Sequence, residues 1–279
     1  MCIRDRHGET QEGMSAIHAE VKALEAGFVK RGLMATLVAK WVRVDSVGGF
    51  EALSKREERR ERKLFAKEWV KVNPRQAMER IRRDSLENSN SYLMSSVGLL
   101  LAQRSPGIFL EYLDVLPFDQ IGVRTTAHDG LDLIAQQRPL ELKDAAMEFE
   151  GNRQRILLSA ALKGWAKLDP KSSLSWVQEN LTDDKQVQSE RFFSVAEGWA
   201  EERPAEFLSE LDMICQNPPA DWTSEVLYAR LGSLALVGVA EKDLEGAFSW
   251  WGRNREQIEV KQLHSVSYTH LTLPTILLV

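Results

Sequence analysis

Leu158 to Val177 reads LSAALKGWAKLDPKSSLSWV, and the pattern inside it decides the fold. Apolar or small residues fall at Leu158, Ala161, Leu162, Trp165 and Ala166, the 3-4-3 spacing of one face of an α-helix. That helix has to stop before Pro170, since a proline pushes the residue ahead of it out of helical geometry. Asp169 is then suited to cap a second helix and Pro170 to begin it, because proline lacks the N–H that a first turn leaves unpaired and its φ is already helical. Leu174 and Val177 mark the buried stripe of the second helix. The stretch predicts an αα-hairpin.

Working outward, the same hairpin recurs. Pro74, Pro106, Pro139, Pro170 and Pro204 are separated by 32, 33, 31 and 34 residues. Five residues before each stand Trp69, Leu101, Ile134, Trp165 and Trp199, followed at once by Val70, Ala102, Ala135, Ala166 and Ala200. Seven residues after each stand Ile81, Leu113, Ala146, Val177 and Leu211. Asn73-Pro74 and Ser105-Pro106 repeat the cap, whereas Arg138-Pro139 and Arg203-Pro204 keep only the proline, the latter ahead of Phe207, Leu208 and Leu211. A further unit fits upstream with Ser46 in the proline slot, Trp41 and Val42 before it, and Phe50 and Leu53 after it. A weaker one begins near Asp243, ahead of Ala247, Trp250 and Trp251. The Trp column is placed to fill the corner between two helices, with Ala166 and Ala200 letting them approach, while Trp176, Trp222 and Trp250 lie outside it. Asn217-Pro218-Pro219 is a loop breaker. No alternating stretch argues for a sheet. A hairpin with one apolar face has no closed core of its own, so the expectation is an all-α fold, an α-solenoid of stacked helical hairpins with about 32 residues per repeat.

The pattern W-A-x-x-D-P-x-x-A-L-x-W, clearest from Trp165-Ala166 through Asp169-Pro170 to Leu174 and Trp176, resembles the Trp/Asp-Pro helical repeats of large bacterial proteins. It is also distantly similar to tetratricopeptide repeats, whose units share the length and the D-P step. The similarity spans roughly Met34 to Trp251. The chain lacks the W-x-x-L-G-x-x-Y first helix of the tetratricopeptide family, so that family's peptide-carboxylate clamp does not carry over. What the resemblance implies is a stacked helical array with an extended binding surface.

Composition agrees with a globular array: 43 % apolar and 28 % charged residues exclude a disordered tail, a collagen-like rod and a many-spanning membrane protein. The two ends differ from the interior. Met1 to Asp5 (MCIRD) can be encoded by ATG TGT ATA AGA GAC, whose reverse complement reads Val-Ser-Tyr-Thr-His, the residues of Val266 to His270. The element resembles a transposase mosaic-end adapter, with Leu271 to Thr275 as its continuation. Residues 1–6 and 265–279 are therefore expected to be adapter-derived, and 7–264 to be the helical array, a fragment of a longer protein. The apolar tail Leu271 to Val279 is too short to span a membrane, which takes about 20 residues. Arg6-His7-Gly8-Glu9-Thr10 resembles the RHGE signature of histidine phosphatases, but no apolar strand leads into it and Arg6 falls in the adapter. Dropping Arg4 and Arg6 from 36 basic residues and Asp5 from 41 acidic ones leaves 34 against 40. A chain this acidic is a poor generic nucleic-acid binder.

The inventory for chemistry is thin. His7, His18, His128 and His264 fall in no H-E-x-x-H arrangement, and neither C-x-x-C nor G-x-S-x-G occurs. Without Cys2 the remaining thiol is Cys215, which reads as buried and inert because nothing basic adjoins it. His128-Asp129, near a helix start, reads as structural or exposed, and Gly48-Gly49 leads into Phe50, not into a phosphate-binding loop. The one charge cluster, Lys55 to Lys63 (KREERRERK), reads as a solvated helix with Glu58 and Arg62 placed for an i,i+4 pair, in preference to a nucleic-acid footprint. No catalytic, cofactor or metal residue is expected. The expected role is a non-enzymatic scaffold or protein-protein interaction module taking a protein or peptide on its surface. The alternative is an accessory helical region of a larger enzyme or envelope protein.

Overall fold

The computed structural model describes residues 10–53, 58–88, 92–118, 125–216 and 231–258, with the side chains of 87–88, 212–213, 215–216 and 256–258 excepted. The expected adapter segments, His7, His264, Asn217-Pro218-Pro219, Trp222 and the Cys215 side chain lie outside what is described. The fold is all-α, with no strand among the described residues. Its helices are α1 (Gln11–Ala23), α2 (Phe28–Val44), α3 (Ser46–Ala52), α4 (Arg59–Val72), α5 (Pro74–Asn88), α6 (Tyr92–Arg104), α7 (Pro106–Glu111) and α8 (Thr126–Gln137). They continue as α9 (Pro139–Ala146), α10 (Gly151–Leu168), α11 (Pro170–Glu179), α12 (Lys185–Glu202), α13 (Pro204–Gln216), α14 (Ser233–Ala240) and α15 (Leu244–Ile258).

One backbone corner joins the helices of every hairpin. At Asp45, Asn73, Ser105, Arg138, Asp169 and Arg203 a single residue with φ between −131° and −155° separates two helices. Its N–H donates to the carbonyl four residues earlier, that of Trp41, Trp69, Leu101, Ile134, Trp165 or Trp199, at 2.7–2.9 Å. Its own carbonyl accepts from the N–H four residues later, that of Gly49, Ala77, Phe109, Leu142, Ser173 or Phe207. Orphan groups at the end of one helix and the start of the next are thus satisfied by the same residue. Asp243 makes a seventh corner without a proline: its N–H donates to Val239 at 2.7 Å, and its carbonyl accepts from Ala247 at 3.0 Å. Proline enforces the extended residue through its own ring; at Asp45 and Asp243, which no proline follows, the carboxylate caps the next helix instead, accepting the N–H of Gly48 and of Gly246, each at 2.9 Å.

The chain divides into two compact units, up to Ala161 and from Leu162 onward. In the first, the helices that end at a corner pack in succession, α2 on α4, α4 on α6 and α6 on α8. Trp41, Phe50, Phe65 and Trp69 form its aromatic core, with Phe50 and Trp69 at 5.6 Å and Phe65 edge-on to both tryptophans. Each is at most 1 % exposed, and burial of a side chain that size is worth about 1.5–3 kcal/mol. Close approach of α6 and α8 rests on small residues: a Cβ on Gly98 would stand 2.5 Å from Ala127 Cα, and one on Gly130 2.9 Å from the Gly98 carbonyl oxygen.

In the second unit α12 packs on α11, α13 and α14, and α14 on α15. Trp199 meets Phe207 edge-on at 5.6 Å, so the column residue spans both helices of its hairpin. Trp165, in the same column, is only half-buried. Gly198 lies directly against the Lys163 carbonyl of the C-terminal half of α10.

Candidate functional site

Lys55 to Glu57 lie outside the described residues, but the rest of the basic cluster corrects its reading as a solvated face. Arg59, Arg60 and Lys63 are exposed, whereas Glu58 and Arg62 are 6 % and 8 % exposed. Glu58 accepts from Lys22 of α1 at 3.2 Å, and Arg62 donates to Asp84 of α5 at 2.6 Å. The Arg62 guanidinium also lies 4.4 Å from the Phe50 ring centre. Sequence spacing suggested a local pair because it sees only one helix; burial between α1, α4 and α5 supplies stronger partners from elsewhere.

His18 completes this cluster. It is buried, tilted against Trp41 at 5.9 Å, and its Nε2 has no hydrogen-bond partner among the described residues. Burial lowers its pKa from the ordinary value and Lys22 adds to the effect, against an upward pull from Glu58 and Glu61. Burial likewise raises that of Tyr92, against the nearby Arg62 and Arg59. Lys22 pairs with Glu58, Arg62 with Asp84 and Arg80 with Glu51, so these ion pairs tie α1, α3, α4 and α5 together.

The other sequence candidates are structural. His128 sits in the first turn of α8, where its Nδ1 accepts from the Thr125 N–H at 3.2 Å. That leaves the proton on Nε2, 3.2 Å from the Phe118 carbonyl. Gly48 belongs to the Asp45 cap, and a Cβ on Gly49 would stand 2.7–2.8 Å from Phe65 and Trp41, so this glycine pair brings α3 onto the aromatic core.

The second unit holds an open recess among the described residues. About 300 Å³ in volume, it has a floor of Pro204, Ala205 and Val239 and a rim of Glu202, Arg203, Glu206, Lys242 and Asp243. Two corners, those at Arg203 and Asp243, build it. Its apolar floor suits an aliphatic or aromatic side chain, and its mixed rim suits charged neighbours of either sign. No sequence signal marked it, because corner residues 40 positions apart converge only in the fold.

Between α10 and α12, Lys163 bridges Glu197 at 3.0 Å and Glu201 at 2.6 Å, and Lys167 also reaches Glu201 at 2.8 Å. Burial opposes the charge on Lys163, yet its hydrogen bonds to Glu201 and Glu197 prevail and raise its pKa. Among the described residues no group of three His, Cys, Asp or Glu side chains is placed to hold a metal ion, and no helix is long and apolar enough to cross a membrane. Compared with known proteins, the chain matches no family model, no curated protein and no solved structure.

Proposed function

We propose that this chain is a non-enzymatic α-solenoid scaffold whose stacked hairpins present a surface to a protein or peptide partner. The observation that carries the reading is the corner itself, one hydrogen-bond pattern repeated at seven places from Asp45 to Asp243. Within each compact unit, hairpins that share this corner pack on their neighbours and offer an open helical surface, the kind that repeat proteins use for recognition. Ion pairs add support by joining positions about one unit apart, among them Arg75 to Glu111, Arg82 to Asp114 and Lys171 to Glu210. Such exposed pairs contribute only about 0–1 kcal/mol each, so their value lies in register more than in stability.

The recess over Val239 is the proposed seat for an apolar anchor of the partner. Panning a random peptide library on the full chain tests this, with a Val239→Trp variant that fills the floor as comparison. The reading expects peptides with one apolar residue between charged ones, and at least a tenfold loss of binding in the variant. Absence of any enriched motif, or equal binding by the variant, would refute it.

A further inference from the structure

Each unit leaves one apolar helix face uncovered. In the first, the start of α2 exposes Phe28 at 87 %, Val29 at 72 % and Leu33 at 39 %. Gly32, on the same exposed stretch, has no heavy atom within 4 Å of where its Cβ would stand. Gly98 and Gly130, inside the unit, are by contrast covered by the facing helix. Thus α2 offers the small, apolar surface that its neighbours use for stacking, with no described helix upon it.

In the second unit Leu244, Phe248 and Trp251 of α15 stand at i, i+4 and i+7, 38–55 % exposed, and Val237 of α14, the helix on which α15 packs, is 47 % exposed. Large apolar residues at helical spacing on an outer face mark an interaction surface more often than chance exposure does.

Charge decides between the occupants. Helix α2 carries Lys30, Arg31, Lys40 and Arg43 and no carboxylate, with the Arg31 guanidinium 4.6 Å from the Phe28 ring centre. Two α2 faces brought together would oppose like charges. Around Leu244, the exposed Glu241, Asp243 and Glu245 outnumber Lys242, while Arg253 and Arg255 lie beyond Trp251. At the start of α2, Lys30, held on the end of α1, and the exposed Arg31 outnumber the exposed Glu25, so the acidic end of the α15 face is complementary to it.

We propose that the α2 face of one copy docks on the Val237, Leu244, Phe248 and Trp251 face of a second copy, with Arg31 toward Glu241 and Glu245. The contact is heterologous, each copy giving a different face, and the partner is the chain itself. It requires no peptide over Val239, although Lys242 and Asp243 border both surfaces.

Sedimentation velocity of the full chain across a concentration series tests the proposal, using Val29→Glu and Phe248→Glu. Both residues are exposed, and circular dichroism checks that the variants keep their helices. Wild type is expected to associate as concentration rises. Each variant should weaken association by more than about tenfold, the loss typical of an interface anchor. An equimolar mixture of the two variants should form a one-to-one dimer, since each retains the face that the other lacks. Wild type that stays monomeric to about 100 µM, where even a weak micromolar contact is populated, would overturn the proposal. So would association that only one of the variants disturbs, or a mixture that fails to form the dimer.

Discussion

A single methyl group placed on two helices should move stability in opposite directions. Both Gly198→Ala in α12 and Gly32→Ala in α2 exchange the poorest ordinary helix former for the best, a gain of about 0.8–1.0 kcal/mol in an open helix. At Gly32 nothing lies within 4 Å of the new Cβ, so the whole gain should appear. At Gly198 the Cβ would land on the Lys163 carbonyl oxygen, with Lys163 C at 3.0 Å and Ala166 Cβ at 3.1 Å. The first obstacle is backbone, which cannot rotate away as a side chain can. Separating two packed helices to admit a methyl costs about 1–3 kcal/mol, and it also loosens the buried contacts around Ala166 and Trp199. Gly198→Ala should therefore destabilise by about 1–2 kcal/mol and Gly32→Ala should stabilise by about 0.5–1 kcal/mol. Urea unfolding followed by circular dichroism gives the midpoints. Peptide-resolved hydrogen exchange assigns the change to α10 and α12 or to α2, which matters because a chain of two compact units need not unfold in one step. Shifts of the same sign in both variants would refute the close approach of α12 to Lys163.

Asp84→Ala should cost about 3–5 kcal/mol by stranding the Arg62 guanidinium, and the double variant Arg62→Met, Asp84→Leu should cost less than either single change; urea midpoints in a double-mutant cycle measure both. Because burial lowers the His18 pKa in the fold, the unfolded chain takes up its proton first. The stability tied to neutral His18 is thus complete above about pH 6.5 and is lost as pH falls from there through the folded pKa. His18→Phe should flatten the difference in midpoint between pH 7.5 and pH 5, and an unchanged difference would count against a buried neutral imidazole. Trp69→Ala, removing a fully buried indole packed against Phe50 and Phe65, should cost about 3–5 kcal/mol by the same unfolding assay, whereas Trp251→Ala should stay within about 0.5 kcal/mol.

How far the residues alone carry this fold depends on whether the deciding force is local. The hairpin corner is local: Pro74, Pro106, Pro139, Pro170 and Pro204 each begin a helix as their ring geometry demands, and Ser46 does so in the same slot because Asp45 caps it. The 3-4-3 stripe likewise places Leu158, Ala161, Leu162 and Ala166 in the core. Contacts between helices are another matter. Glu58 and Arg62 are four residues apart and look like partners, yet Lys22 and Asp84 take them, 36 and 22 residues away. The Lys30 ammonium closes the end of α1 by donating to the Lys22 and Leu24 carbonyls, a cap that no motif announces. The recess over Val239 was equally invisible, since it arises where two corners meet. Periodicity sees the face of a helix but not what covers it.

Zero-length carbodiimide cross-linking, read by mass spectrometry on the native full chain, tests the stacking of successive hairpins most directly. Amide bonds are predicted between Lys163 and Glu201, between Lys167 and Glu201, and between Lys171 and Glu210, whose charged atoms stand 2.6–3.0 Å apart across spacings of 38, 34 and 39 residues. Links confined to residues within one helix, with none at these one-unit spacings, would contradict it.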